Sequence, residues 1–291
     1  MPIFISNSFY LSELETAITN RPLIGWHSVY ENTGVYNDET LDIVGENPIN
    51  VWASDTYTRW SAENDGVSAD EVGLIFVVAE SVNYYGIAGH NLGTIGAYYA
   101  WQHLDEPAGE WENITDYRIV ANDNAIIDYV DDALPPDSAV RLLISVPAGK
   151  TARIAHIKIG NIFQLARPVW SGVTPGGMDE RTEKISSKSY SGNYLGTILV
   201  SQGSGFSIEQ KNNTASFVRG NGLQNFFKHS NLLQKLAAGP VETFFYAWRP
   251  DTHPLEVQYC CRVGDFSPPK NDTGTITGGL MSWSMSGDAY K

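Results

Sequence analysis

Cysteine is all but missing from this chain of 291 residues: there are two, Cys260 and Cys261, and they are neighbours. A bridge between them would need a strained local peptide, and adjacent strand positions point to opposite faces. Two free thiols are expected, one inward and one outward, in keeping with synthesis in the cytoplasm. Basic residues are also few. Nineteen Lys and Arg against 33 Asp and Glu leave a net charge of -14, which argues against coating nucleic acid. Long apolar runs are absent: stretches such as residues 74–79 fall far short of the ~18 residues that span a bilayer. Residues 1–3 carry no basic signal-peptide region, so the expectation is a soluble protein, and the Asn-x-Ser/Thr triplets at Asn113, Asn212 and Asn271 gain no meaning from secretion.

Catalytic and metal-binding patterns are missing too. The chain holds no G-x-S-x-G, H-E-x-x-H, P-loop or C-x-x-C pattern, and its six histidines (His27, His90, His103, His156, His229 and His253) form no ligand-spaced cluster. No catalytic residue, cofactor or metal is therefore assigned, and the protein is not expected to be an enzyme. A pair of carboxylates on facing strands would suit a glycosidase, but the sequence picks out no such pair. The acidic run from Asp128 to Asp132 offers oxygen ligands to calcium but lacks the glycine and spacing of an EF-hand loop. A solvated acidic turn is expected there.

What the chain does have is apolar material for cores, at 42% hydrophobic and 12% aromatic, and about twice the ~150 residues of one average domain. Its charge is uneven. Residues 1–150 hold 23 acidic and 5 basic residues, whereas residues 151–291 hold 10 acidic and 14 basic, giving nets of -18 and +4. Two units with different surfaces follow. The asymmetry suits either a head-to-tail oligomer or a merely soluble first half.

Helical periodicity is clear only over residues 223–238, where Phe226, Phe227, Ser230, Leu233 and Ala237 recur at three- and four-residue steps before Gly239 and Pro240. A short helix is possible over residues 11–19, where Ser12 and Glu15 have capping-box spacing. Strands are expected at 74–79, 98–101, 139–146, 152–159, 197–200, 216–219, 243–248 and 255–262. Pro147 to Gly149 has the length of a hairpin loop, and residues 250–254 form a turn. The prolines and glycines over residues 167–177 mark a boundary. The fold expected is mostly β. A jelly-roll sandwich occupies residues 1–165, with 1–40 as an extension, and a small barrel or sheet with one embedded helix occupies 166–291.

The stretch from Tyr84 to Ala97 contains Gly86, Gly89, Gly93 and Gly96, without the spacing of a dinucleotide loop. It reads as a tight loop in which His90 and Asn91 bond backbone groups or touch a ligand. Aromatics crowd residues 52–111, from Trp52, Tyr57 and Trp60 through Tyr84 and Tyr85 to Trp101 and Trp111. Such rings serve either core packing or sugar stacking. Trp60, Tyr85, His90 and Asn91 are the candidate sugar contacts.

Three segments, 47–60, 85–96 and 153–160, resemble discoidin-type, galactose-binding-like sandwiches, and in particular those of tailed-bacteriophage tail proteins. Thr56 with Trp60 matches a Thr-x-x-x-Trp element, and Ile157 to Gly160 matches a closing Ile-x-Ile-Gly. Segments 226–229, 240–249 and 254–259 are similar to the last part of tail-tip proteins. The resemblance implies a structural protein of a tail tip or baseplate, in a virion assembled in a bacterial host. It would form a homo-oligomeric ring on the tail tube beside other tail proteins. The alternative it implies is a host-adhesion module that binds surface polysaccharide. Residues 267–274 and 278–287 are expected to be mobile alone and to order against neighbours.

Overall fold

The computed structural model describes residues 21–29, 50–51, 57–105, 108–168, 180–230, 243–262, 266–272 and 279–290. The expected helix at 11–19, Trp52, Thr56, residues 169–177 of the boundary and everything expected over 231–242 lie outside the described residues. In chain order the strands begin with β1 (Leu23–Gly25), β2 (Trp60–Asn64), β3 (Asp70–Val77), β4 (Val82–His90), β5 (Tyr98–Asp105) and β6 (Glu110–Asn113). There follow β7 (Arg118–Ile119), β8 (Ile126–Leu134), β9 (Ala139–Val146), β10 (Lys150–Gly160) and β11 (Phe163–Gln164). The last are β12 (Glu180–Lys188), β13 (Tyr194–Thr214), β14 (Thr243–Ala247), β15 (Val257–Cys261), β16 (Phe266–Asn271) and β17 (Leu280–Tyr290). Three helices, α1 (Leu92–Ile95), α2 (Ala215–Arg219) and α3 (Asn221–Ser230), complete the described elements.

These strands make three antiparallel sheets. An outer sheet runs β3-β9-β5-β6, with β7 also on β5, and a middle sheet runs β2-β10-β4-β8. The C-terminal sheet runs β11-β1-β14-β15-β17-β13-β12, with β16 on β17. The outer and middle sheets enclose one core. From β9, Val140, Leu142, Ile144 and Val146 point inward, while Arg141 and Ser145 alternate with them, the two-residue period of a half-buried strand. Facing them from the middle sheet are Trp60, Tyr85, Ile87, Ile154, Ile157 and Ile159.

The middle sheet is covered on its other face as well. There Ala88 packs with Phe245, Ala247, Val257 and Tyr259 of the C-terminal sheet. The far face of that sheet carries a third core, in which Phe244, Tyr246, Cys260, Trp283 and Met285 meet Leu223, Phe226 and Phe227 of α3. The order of layers is thus outer sheet, middle sheet, C-terminal sheet, helices. Two polar side chains are caught between the sheets: Lys158 Nζ donates to the Thr243 carbonyl, and the His156 ring lies 5.0 Å from that of Tyr259. Both alternate with isoleucines in β10, and both are buried, because a second sheet lies where solvent would be.

The mostly β architecture, with a two-sheet sandwich followed by a β unit carrying a helix, is as expected. Several local expectations are corrected. β9 and β10 are not a hairpin: β9 lies in the outer sheet and β10 in the middle one, so residues 147–149 form a corner between layers. Residues 216–219 are helical, because Thr214 Oγ1 accepts from the Phe217 amide at 3.3 Å and caps α2. Asp128 to Asp132 is no turn but part of β8, whose alternation turns Asp128 inward. Cys261 is buried like Cys260, since both faces of β15 are covered.

The segment expected to be mobile near the C-terminus is instead β17, which pairs with β13, β15 and β16. Trp283, Met285, Gly287 and Ala289 are its buried positions, and the residues between them are half-buried. The expected N-terminal extension contains β1, which pairs with β14 and β11 in the C-terminal sheet. Among the described residues no helix is long and apolar enough to cross a membrane.

Candidate functional site

The glycine-rich stretch does not form a loop for most of its length. Tyr84 to His90 belong to β4, and α1 follows at once. Gly89 and Gly96 take positive φ values of 62° and 68°. Gly86 and Gly93 answer close approaches. A Cβ on Gly86 would lie 2.7 Å from the Phe245 ring, and one on Gly93 would lie 2.3 Å from the Asn122 backbone.

His90 and Asn91 bond backbone groups. Asn91 donates Nδ2 to the Thr151 carbonyl at 2.8 Å and accepts the Arg153 amide at 2.7 Å, so its side chain continues the ladder beside β10. His90 Nδ1 accepts the Leu92 amide at 3.3 Å, which leaves Nε2 as the protonated nitrogen; it donates to the Asn124 carbonyl at 2.8 Å. Burial lowers the His90 pKa below its ordinary 6.5, against the Asn124 bond and the Asp123 charge, which raise it. This neutral imidazole anchors the loop over residues 121–125.

Trp60 and Tyr85, the two rings singled out as sugar contacts, are fully buried. The Tyr85 ring lies 5.0 Å from that of Trp101 in the sandwich core. Neither presents a face to solvent, because both point into the core between the middle and outer sheets. As stacking platforms they are corrected; as core residues they hold the middle sheet to the outer one.

The loop that His90 anchors forms one wall of a cleft of about 320 Å³. The opposite wall is Pro254 and Leu255, from the turn between β14 and β15, and Asn124 Nδ2 reaches across to the Leu255 carbonyl at 3.1 Å. At the base, Asp128 of β8 accepts hydrogen bonds from Arg118 of β7 and, at 2.8 Å, from the Tyr99 hydroxyl of β5. These bonds clamp an edge of the middle sheet to an edge of the outer sheet. The Asp128 side chain is 1% exposed and that of Arg118 is 54% exposed, so the guanidinium faces the cleft from a buried counter-charge. Burial raises the Asp128 pKa, against Arg118, which lowers it. Burial also pushes the Tyr99 phenol well above its ordinary value.

The cleft therefore offers a charge-balanced guanidinium, the amides of Asn122 and Asn124, and apolar walls at Ile119 and Leu255. Beyond Arg118 a second, wider groove of about 710 Å³ continues along β8, lined by His103, Ile114, Tyr129, Val130, Asp131 and Leu134. Arg118 and Asp128 had no sequence motif to mark them. The available signal was that Arg118 is one of only five basic residues in a half that holds 23 acidic ones. Among the described residues no group of three or more His, Cys, Asp or Glu side chains is placed to hold a metal ion.

No protein-family model matches this sequence, and no curated protein matches it. Solved structures that align with part of it include a family 32 carbohydrate-binding module of AlyQ in complex with 4,5-unsaturated mannuronic acid. That match has 16% identity and a TM-score of 0.34, over 46% of this chain and 98% of the module. Another is the family 32 module of C. perfringens NanJ in complex with galactose, at 14% identity and a TM-score of 0.33, over 44% of this chain and 93% of the module. A Ruminococcus gnavus GH29 fucosidase aligns at 11% identity and a TM-score of 0.32, over 39% of this chain but only 22% of the fucosidase.

Proposed function

We propose that the protein is a carbohydrate-binding module that holds a neutral sugar in the cleft beside Arg118. The observation that carries this reading is the composition of the cleft. Arg118 donates from a pair already neutralised by Asp128, the asparagine amides both donate and accept, and Ile119 with Leu255 supplies apolar walls. A sugar ring presents that same mixture, hydroxyls at its edge and C–H groups on its faces. The cleft, at about 320 Å³, has the size of a small-molecule site. Its surroundings are acidic, with Asp116, Asp123 and Asp131 nearby in sequence, which disfavours anionic glycans. Asp128 is the only carboxylate among the described residues lining this cleft, where hydrolysis takes a pair, so the reading is one of binding without turnover.

Calorimetric titration or a glycan array with the whole chain tests this. Neutral oligosaccharides should bind saturably, and Arg118→Ala should weaken binding by about tenfold or more, as expected for loss of a charge-assisted hydrogen bond. Absence of binding to any neutral glycan, or binding unchanged in Arg118→Ala, overturns the reading.

The resemblance of segments 226–229, 240–249 and 254–259 to tail-tip proteins supports a second reading, a structural component of a phage tail tip or baseplate that meets host polysaccharide. The exposed apolar side chains of the β12–β13 ribbon, from Ile185 to Ile198, favour such an assembly role. Mass spectrometry of density-purified particles tests it. Presence at a small multiple of three or six copies per particle supports a ring, and absence from particles removes it.

A further inference from the structure

The longest strand of the protein does two different things along its length. From Ser204 onward β13 pairs with β17 inside the C-terminal sheet, but before Ser204 its only described partner is β12. Residues 180–203 therefore form a two-stranded ribbon that continues beyond the sheet, about 30 Å long at ~3.3 Å per residue. The ribbon is well made. Ile185 faces Ile198 across it, Ser186 Oγ and Thr197 Oγ1 are 2.8 Å apart, and its turn is held by the Asn193 amide donating to Ser189 Oγ at 3.0 Å.

Nothing described covers this ribbon. Ile185, Tyr190, Tyr194, Leu195 and Ile198 are all exposed, Ile198 at 71%. Five exposed large apolar side chains within fourteen residues are a patch, not scattered singles, and a two-stranded ribbon is marginal in water without such a face being covered. Towards its turn the charge has one sign: the sequence holds Lys184 and Lys188 and no acidic residue from position 184 to 208, whereas Glu180 and Glu183 lie at the end of the ribbon next to the sheet.

The complementary surface is on the other half of the same chain. The groove along β8 combines apolar Ile114, Val130 and Leu134 with exposed Asp131 and with Arg118, whose charge Asp128 balances, on the half whose net charge is -18. The groove runs beside the open edge of the middle sheet, where β8 is the last strand. We propose that the tip of the β12–β13 ribbon seats in the β8 groove of a second copy of this chain. Apolar contacts to Ile114 and Leu134 hold it, and attraction between Lys188 and Asp131 sets its position. Each copy carries one ribbon and one groove, so the contact is heterologous and propagates into a closed ring if the rotation permits.

Sedimentation velocity on the whole chain, from low to high micromolar concentration, tests this. The mass should rise with concentration, and added salt should weaken association by screening the charge pair. Ile185→Ser with Ile198→Ser should abolish association while leaving the circular dichroism melt unchanged, since both side chains are exposed. Lys188→Glu alone and Asp131→Lys alone should each weaken association by about tenfold, and combining the two should restore it. A chain that stays monomeric throughout overturns the proposal. So does association that survives the double isoleucine change, or a charge exchange that fails to rescue.

Discussion

Strand β4 and the β12–β13 ribbon are both regular antiparallel structure, yet they have opposite surroundings. β4 is the centre of the molecule: Tyr85 and Ile87 enter the sandwich core, and Ala88 and Gly86 meet the C-terminal sheet on the other side. In the ribbon the described side chains, over residues 185–198, are exposed apart from half-buried Ser189 and Gly196. Ladder hydrogen bonds are made in both. The difference lies in apolar area removed from water, which is what separates a strand that carries the global stability from one that opens locally.

The contrast can be tested by substitution. The largest effect should come from Trp60→Ala, which empties a fully buried site and should cost about 3–5 kcal/mol in denaturant unfolding. Smaller is Gly86→Ala. Its added Cβ meets the Phe245 ring at 2.7 Å and forces the two sheets apart, so about 1–3 kcal/mol should be lost. A cost near zero would mean that the middle and C-terminal sheets are not packed as described.

The third is a pH dependence. His90 is buried with a lowered pKa, so the folded state resists the proton that the unfolded chain accepts below about pH 6.5. Its contribution is complete above that pH and is lost as the pH falls through the window beneath it. His90→Gln should flatten that part of the stability profile; an unchanged slope would show that His90 is not the group responsible. The smallest effect is expected on the ribbon, where Ile198→Ser should shift the stability of the isolated chain by no more than about 0.5 kcal/mol. Amide exchange sharpens the comparison further. Ribbon amides at Ile185 and Thr197 should exchange by local opening, well before those of β4.

Much of the β pattern was visible in the chain because short-range chemistry encodes it. Residues 139–146 are rich in β-branched and other apolar side chains, with Arg141 and Ser145 as the polar interruptions, and the structure has a strand with those same bounds. β17 carried a regular alternation, Trp283 then Met285 then Ala289, but its serines and glycines read as a mobile tail. Thr214, a capping residue before a short apolar stretch, was the local sign of α2. The candidate site was far less legible. Trp60 and Tyr85 are aromatic in the manner of sugar-binding residues, and nothing in their neighbours reveals that a further sheet covers them. Arg118, Asp128 and Leu255 come together only through sheet packing across as many as 137 positions of sequence.

Composition and periodicity, taken alone, established a mostly β chain with a strongly acidic first half, a more basic second half and two thiols that form no bridge. Those properties follow from side-chain chemistry and from the two-residue repeat of an extended backbone, which act over a few residues. The stacking of three sheets and a helical layer, the burial of Lys158 and His156 between two of them, and the cleft at Arg118 were decided by tertiary packing. Whether a strand face meets water or another sheet depends on partners far away in sequence, and no local pattern contains that information.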